Sequence, residues 1–271
     1  MTFLATNRLL LAAALLALNQ GDQSMALAED ALPDAATVMQ RVIKRAEEVE
    51  HAQKENEYRY QKRSINEELD SSGKPVKTTE ELYEVFPILG VPFFRLIKIQ
   101  DRNLTDAETK AQNKKEQAFR QKMTKQRAKG TIKDHEDWLD TNLVERFDFK
   151  VERREPFQNR PVLVLSFHPK ASRRAENTVE DKVLNRLAGT LWIDEQDAEV
   201  AQLKVGLTQD LSLGWFGMVG SLSQCDLLFE KQCLPDGVWV NQKQTVALSG
   251  RKLFSPIRHH TLEEFSHFRK P

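Results

Sequence analysis

The sequence predicts an α+β domain built on one large, curled antiparallel sheet, covered by an N-terminal amphipathic helix and by inserted helices. Three observations predict it. A strong helical stripe opens the chain beyond residue 30, the period of the apolar residues changes to two from Leu143 onward, and tight-turn sequences then separate short apolar runs to the C-terminus. A sheet of this size curls with its own twist and needs a helix over its concave face, which leaves a pocket between the layers.

Residues 1–28 carry the parts of a cleavable secretory signal peptide in order: Arg8, an uncharged apolar run from Leu9 to Leu18, a polar stretch, and the small–any–small site Ala26-Leu27-Ala28. The apolar run is about half the length of ~20 residues that a membrane-spanning helix needs. No cysteine lies near the cleavage site, which excludes bacterial-type lipid attachment there. The expectation is a soluble protein of the periplasm or the extracellular space, residues 29–271 forming a single domain with a helical insertion at about 104–142.

The chain has 271 residues with 40 basic and 40 acidic side chains. Loss of residues 1–28 removes Arg8 and Asp22 and leaves the balance unchanged. Net neutrality argues against a nucleic-acid binder and against a protein held electrostatically on a membrane. The most apolar later stretch, residues 86–99, is interrupted by Pro87, Gly90, Pro92 and Arg95, so no stable membrane insertion is expected. Cys225 and Cys233 are the only cysteines, and the segment between them reads as one strand. Eight steps of about 3.3 Å hold them roughly 26 Å apart, far beyond disulfide reach, so two unpaired thiols are expected.

The first helix opens at Pro33-Asp34, with Ala35, Val38, Met39, Val42, Ile43, Ala46 and Val49 on one face. Residues 58–69 and 78–86 read as a long hairpin around the turn cluster Ser71-Ser72-Gly73-Lys74-Pro75. Residues 86–93 read as a loop, and 94–99 as a short strand or helix. Thr105 and Glu108 form a capping box that opens a helix over residues 106–125, polar nearly all round, with a thin apolar line of Ala107, Ala111, Ala118, Phe119 and Met123. Its lysines lack the interleaved aromatics of a nucleic-acid platform. A short helix at 135–142 follows.

Phe147, Phe149 and Val151 then share a strand face, residues 155–161 read as a connection, and residues 162–167 as an apolar partner strand. A short helix at 177–187 is capped by Asn177 or Thr178 and stopped by Gly189. Strands at 189–194, 200–207, 221–232, 238–248 and 257–268 follow as a meander, with turns at 194–197 and at Pro235-Asp236-Gly237, and bring the sheet to roughly nine strands.

The search for chemistry finds no nucleophile-elbow, phosphate-loop, dinucleotide or His-Glu-x-x-His motif, and neither a cofactor nor an enzymatic activity is called for. Neighbouring residues of a strand face opposite ways, so His259 and His260 cannot jointly ligate a metal and read as solvated or edge histidines. His267 shares a face with Glu263 and Phe265 by the same alternation. The pairs Glu67-Glu68, Glu80-Glu81 and Glu263-Glu264 read as the wet face of the sheet. Trp215 and Phe216, between Gly214 and Gly217, form either a plug folded onto the core or an apolar flap at a pocket mouth.

The segment Ala188-Gly-Thr-Leu-Trp-Ile-Asp194 followed by Ala198-Glu-Val-Ala-Gln-Leu-Lys204 resembles the hairpin of the bacterial lipoprotein-carrier (LolA/LolB-like) superfamily, of the outer-membrane lipoprotein-sorting type. Tyr83-Glu-Val-Phe-Pro87 leading into Arg95-Leu-Ile-Lys98 and an inserted helix is similar to exported proteins of the same group, and element order follows it over residues 35–268. The resemblance implies an unclosed half-barrel that holds acyl chains between sheet and helices, and a non-enzymatic protein. The long charged insertion departs from the best-known carriers. The expected function is binding of an apolar ligand, a lipid or a lipoprotein acyl chain. The alternative is an interaction module, an envelope sensor or assembly factor that docks envelope proteins through its apolar loops. Alternation and composition nominate Phe147, Phe149, Leu163, Leu165, Trp192, Leu203 and Val205 as lining, with Phe93, Phe94, Trp215 and Phe216 at the mouth; the same pattern also suits ordinary core.

Overall fold

A computed structural model describes residues 31–52, 54–129, 144–173, 178–213, 220–253 and 255–270. The signal-peptide segment, the helix expected at 135–142, Asn177, and the Trp215-Phe216 segment lie outside the described residues. From Pro33 onward the chain forms one compact unit.

Helix α1 spans Ala35–Ala52. Asp34 starts it by accepting from the backbone N–H of Thr37 at 3.0 Å, which satisfies one of the donors that a helix N-terminus leaves free. A 3₁₀ turn at Lys54–Glu57 leads into the hairpin β1 (Arg59–Leu69) and β2 (Pro75–Ile88), followed by β3 (Val91–Ile99) and the short β4 (Arg102–Asn103). Helix α2 (Asp106–Ala128) carries the expected capping box: Thr105 Oγ1 accepts from Glu108 N–H, and Glu108 Oε2 accepts from Thr105 N–H at 2.8 Å. Next come β5 (Phe147–Phe157), β6 (Arg160–Pro169), a 3₁₀ turn, α3 (Val179–Leu184), β7 (Leu187–Asp194), β8 (Val200–Leu207), β9 (Leu211–Leu213), β10 (Gly220–Cys233), β11 (Trp239–Lys252) and β12 (Ser255–Arg269). Thr178 caps α3 with Asp181 as its reciprocal partner.

All twelve of these strands belong to one antiparallel sheet in the order β4-β3-β2-β1-β12-β11-β10-β8-β7-β6-β5, with β9 beside β10. The sheet is unclosed, its ends being β4 and β5. Two sequential meanders meet at its centre, where the first strand pairs with the last. Consequently β12 is an interior strand, and its histidines are not at an edge. His260 Nδ1 lies 3.0 Å from Glu67 Oε2 on one face, and His259 stands on the other.

The proline-rich stretches differ from expectation for one shared reason. Residues 86–93 are hairpin, with Leu89 and Gly90 at φ 55° and 89°; positive φ at both central residues marks the type I′ turn that suits strand twist. Pro87 lies opposite Pro92. That pair sits next to the hydrogen-bonded pair at the turn, so its N–H positions point away from the partner strand, and the prolines remove no β2–β3 bond. The β5–β6 hairpin repeats the arrangement where a connection was expected: Gln158 and Asn159 have φ 49° and 63°, and Pro156 faces Pro161.

Two other expectations change. Gly189 does not stop a helix; it lies inside β7, where any Cβ would overlap the Lys204 carbonyl oxygen and approach the Phe167 ring at 2.9 Å. His267 has φ 58°, which breaks the alternation, and Phe268 beyond it returns to the Phe265 face to stack on Tyr60 at 5.0 Å.

Paired residues of an antiparallel ladder project to the same face, so register carries one face across the sheet. It runs Leu165, Leu191, Leu203, Phe229, Gln244, Glu263, Ser64, Glu81. Helix α1 covers this face over β5 to β8: Val38, Met39 and Val42 pack with Phe147, Leu163, Leu165, Phe167, Leu191, Ile193 and Val200. Each fully buried side chain of this kind contributes about 1.5–3 kcal/mol. Phe86 lies an odd number of residues beyond Glu81 and hence on the other face, where Phe93 meets Phe119 of α2 at 5.1 Å. The helices therefore lie on opposite faces. The buried line of α2 runs through Gln112 and Met123, while Ala107, Ala111 and Ala118 are exposed.

Candidate ligand-binding face

On the face that α1 covers, the apolar surface does not end with the helix. Phe149, Val151, Leu203 and Val205 pack at the margin of the core and stay partly exposed. The same row continues beyond α1 through Leu207 of β8, Cys225, Leu227 and Phe229 of β10, and Val246 and Leu248 of β11, all half-buried. The reverse side of these strands is mixed: Lys150, Ser166, Thr190, Gln202, Lys204, Asp226, Glu230 and Thr245 stand beside the apolar Val162, Val164, Trp192 and Leu228. Polar groups thus predominate on the reverse of β8, β10 and β11, while in β6 both faces are apolar.

Ion pairs frame the strip at its α1 end. Glu199 is buried and takes Lys231 Nζ at 2.5 Å and Arg45 Nε of α1 at 3.3 Å. Arg41 of α1 donates to the Glu195 carbonyl at 2.9 Å. Beyond β11 the same face turns polar and aromatic. Lys62 and Glu263 pair at 2.6 Å with only 18% and 20% of their side-chain surfaces exposed, and the Lys62 ammonium lies 5.3 Å from the Phe94 ring and 5.9 Å from Phe265. Burial, with Glu263 adding to it, pushes the Tyr60 hydroxyl up to about 12. Desolvation and the Glu81 carboxylate likewise raise Tyr83.

The nominated residues divide accordingly. Phe147, Leu163 and Leu165 are core beneath α1, and Phe149, Leu203 and Val205 lie on the open margin of the strip. Phe94, 44% exposed, stands on this face at the polar end. Trp192 lies on the opposite face, donating from its indole to Glu155 Oε1 at 2.6 Å, and Phe93 is under α2 on that same opposite face. Trp215 and Phe216 fall outside the described residues. Leu227, Phe229, Val246 and Leu248 were missed. Their signal was the alternation within 225–229 and 244–248, masked where Leu227 and Leu228 stand side by side.

The carboxylate pairs alternate as expected but are not simply wet. Arg63 holds Glu80 and Glu264 on one face, and Glu263 is the half-buried partner of Lys62 on the other. Cys225 and Cys233 are unpaired thiols on one strand, and burial pushes both upward from the ordinary thiol range. Among the described residues no group of three or more His, Cys, Asp or Glu side chains is placed to hold a metal ion, and no helix is long and apolar enough to cross a membrane.

No family model matches the sequence, and no curated protein matches it. Solved structures similar to the chain include an outer-membrane lipoprotein-sorting protein domain from Vibrio parahaemolyticus, at 11% identity over 86% of this chain and 93% of that one, TM-score 0.33. A LolA-superfamily protein from Nitrosomonas europaea is similar at 10% identity over 86% and 93%, TM-score 0.30. The complex of MucA and MucB from Pseudomonas aeruginosa is similar at 11% identity over 88% and 99%, TM-score 0.25. The LolA superfamily that the sequence resembles is thus among the structures to which this chain is similar.

Proposed function

We propose that the protein is a soluble, exported envelope protein that shelters an apolar chain, of a lipid or of a lipoprotein's acyl groups, along the strip beyond α1. The observation that supports this reading is the run of half-buried apolar side chains that continues the α1-covered core outward, through Leu203, Val205 and Leu207 of β8 and Leu227 and Phe229 of β10 to Val246 and Leu248 of β11. Each methylene buried there contributes about 0.8 kcal/mol, so a long acyl chain binds without a charged contact. Phe94 joins the proposal as a contact at the polar end. The signal sequence supports a periplasmic location.

The test is to purify the exported protein, extract it for lipid mass spectrometry, and titrate it with a fluorescent fatty acid. The reading expects co-purified lipid, and a loss of affinity of at least about tenfold in Val205→Glu and Leu227→Glu, since each places a carboxylate where the chain would lie. Circular dichroism of both variants checks that the sheet is intact. Absence of lipid together with no fatty-acid binding overturns the reading. A crosslinked envelope protein lost in the same variants would then assign the strip to protein docking.

A further inference from the structure

The neutral total charge hides a sharp local segregation on α2. At about 100° per residue, Lys110, Lys114, Lys115, Lys122, Lys125 and Lys129 fall within an arc of about 140°, opposite the line of Gln112, Glu116, Phe119 and Met123 that faces the sheet. All six lysines are exposed, and none pairs with a carboxylate among the described residues. Of the helix's three carboxylates, Asp106 stands exposed at the first turn, beside the Lys110 end of the arc, and the other two are engaged elsewhere. Glu108 is gripped by Arg102 at 2.7 Å and by the Thr105 cap. Glu116 is shared by Arg95 of β3 at 3.2 Å and Arg120 at 2.7 Å. The fold thus engages Glu108 and Glu116 with arginines and leaves a predominantly basic surface outside, its one acidic residue, Asp106, confined to the first turn.

We infer that this lysine arc is a docking surface for an anionic lipid bilayer. The helix is about 34 Å long at 1.5 Å per residue, and its lysines recur along its whole length, which matches an extended plane of negative headgroups. The arc carries no aromatic side chain to stack on bases. Nor does it carry the apolar residues that a helix immersed in acyl chains requires, so contact is electrostatic and reversible. Because α2 and the apolar strip lie on opposite faces of the sheet, the two contacts do not compete, and the inference stands independently of the proposed ligand.

The experiment is cosedimentation of the purified protein with phosphatidylcholine vesicles, with and without phosphatidylglycerol. Binding is expected only to the anionic vesicles and is expected to fall as salt shortens the range of the field. The triple variant Lys114→Gln, Lys122→Gln and Lys125→Gln lowers the partition coefficient at least about tenfold. Lys54→Gln with Lys204→Gln and Lys252→Gln, elsewhere on the surface, leaves it unchanged. Far-UV circular dichroism and the thermal midpoint establish that both triple variants fold. Equal binding to neutral vesicles, no binding to anionic ones, or an undiminished partition in the α2 variant overturns the inference. Retention on immobilised polyglutamate with no vesicle binding also overturns it, and assigns the arc to an acidic polypeptide.

Discussion

Arg160 grips both carboxylate oxygens of Asp194, Nε to Oδ2 at 2.6 Å and Nη2 to Oδ1 at 2.9 Å, at a position where Asp194 has no exposed surface. The same guanidinium reaches Asp197 at 2.7 Å and lies 5.3 Å from the Trp239 ring, whose indole also donates to Asp197. This knot joins β6, the β7–β8 turn and β11. Removing one partner of a buried pair strands the other charge, at about 3–5 kcal/mol. Arg160→Ala is therefore expected to lose that much in a urea titration, and Arg160→Lys to lose a smaller part because a single ammonium cannot replace the fork. A loss below about 1 kcal/mol in Arg160→Ala would mean that the backbone N–H groups of Gln196 and Asp197 hold Asp194 unaided.

Stability is expected to fall at both pH extremes, for opposite reasons. Burial works to raise Asp194, but Arg160 and the backbone N–H of Asp197 outweigh it and hold the carboxyl below its usual range. The Tyr58 hydroxyl and Lys270 bring Asp236 to about 2, and Arg102 with the Thr105 backbone brings Glu108 to about 2. A depressed folded value contributes stability above the unfolded value, near 4, and loses it as pH falls toward 2. Tyr60 has the reverse sign: its contribution is complete below about 10 and is lost as pH rises toward about 12. Thermal midpoints against pH check both limbs. In Tyr60→Phe the alkaline limb is expected to become shallower while the acid limb is unchanged.

Gly189→Ala is expected to destabilise the protein by at least about 1–3 kcal/mol, the usual cost of overpacking. The added methyl would meet the Lys204 carbonyl, fixed in the β7–β8 ladder, and the Phe167 ring at 2.9 Å. A ring can tilt away and a laddered carbonyl cannot. Adding Phe167→Leu is therefore expected to recover little of the loss, as measured by chemical denaturation of the single and double variants. Near-complete recovery would show that the ring alone excludes the side chain.

What the sequence made legible was local. The period of two in Phe147, Phe149 and Val151 placed the α1 side of β5, and Thr105–Glu108 marked the start of α2 because a capping box is written within four residues. The pairing of β1 with β12 leaves no such trace, since no periodicity records a partner some two hundred residues away. Faces were unreadable where both sides are apolar. In β6, Val162 and Val164 are as deeply buried as Leu163 and Leu165, so alternation could not show which of Leu191 and Trp192 shares the α1 face with Leu165. The lysine arc of α2 was visible as lysines but not as an arc, because its orientation depends on which face Phe119 and Met123 bury.

The β2–β3 turn offers a gain rather than a loss. Leu89 occupies a left-handed backbone position at φ 55° with its side chain 42% exposed. A leucine there carries a strain of about 1–2 kcal/mol and recovers little by burial. Asparagine tolerates this conformation, and Asn-Gly is the preferred pair for a type I′ turn; Gly90, at φ 89°, already supplies the second residue. Leu89→Asn is expected to raise stability by about 1 kcal/mol, with an unchanged denaturant slope in a urea titration. Gly90→Ala is expected to lower it by a similar amount, although nothing lies within 4 Å of the added methyl, because the penalty there is backbone conformation alone. If Leu89→Asn instead destabilised the protein, the leucine side chain would have to be making an apolar contact worth more than the strain. Comparison with Leu89→Ala separates the two, since alanine loses that contact and relieves none of the strain.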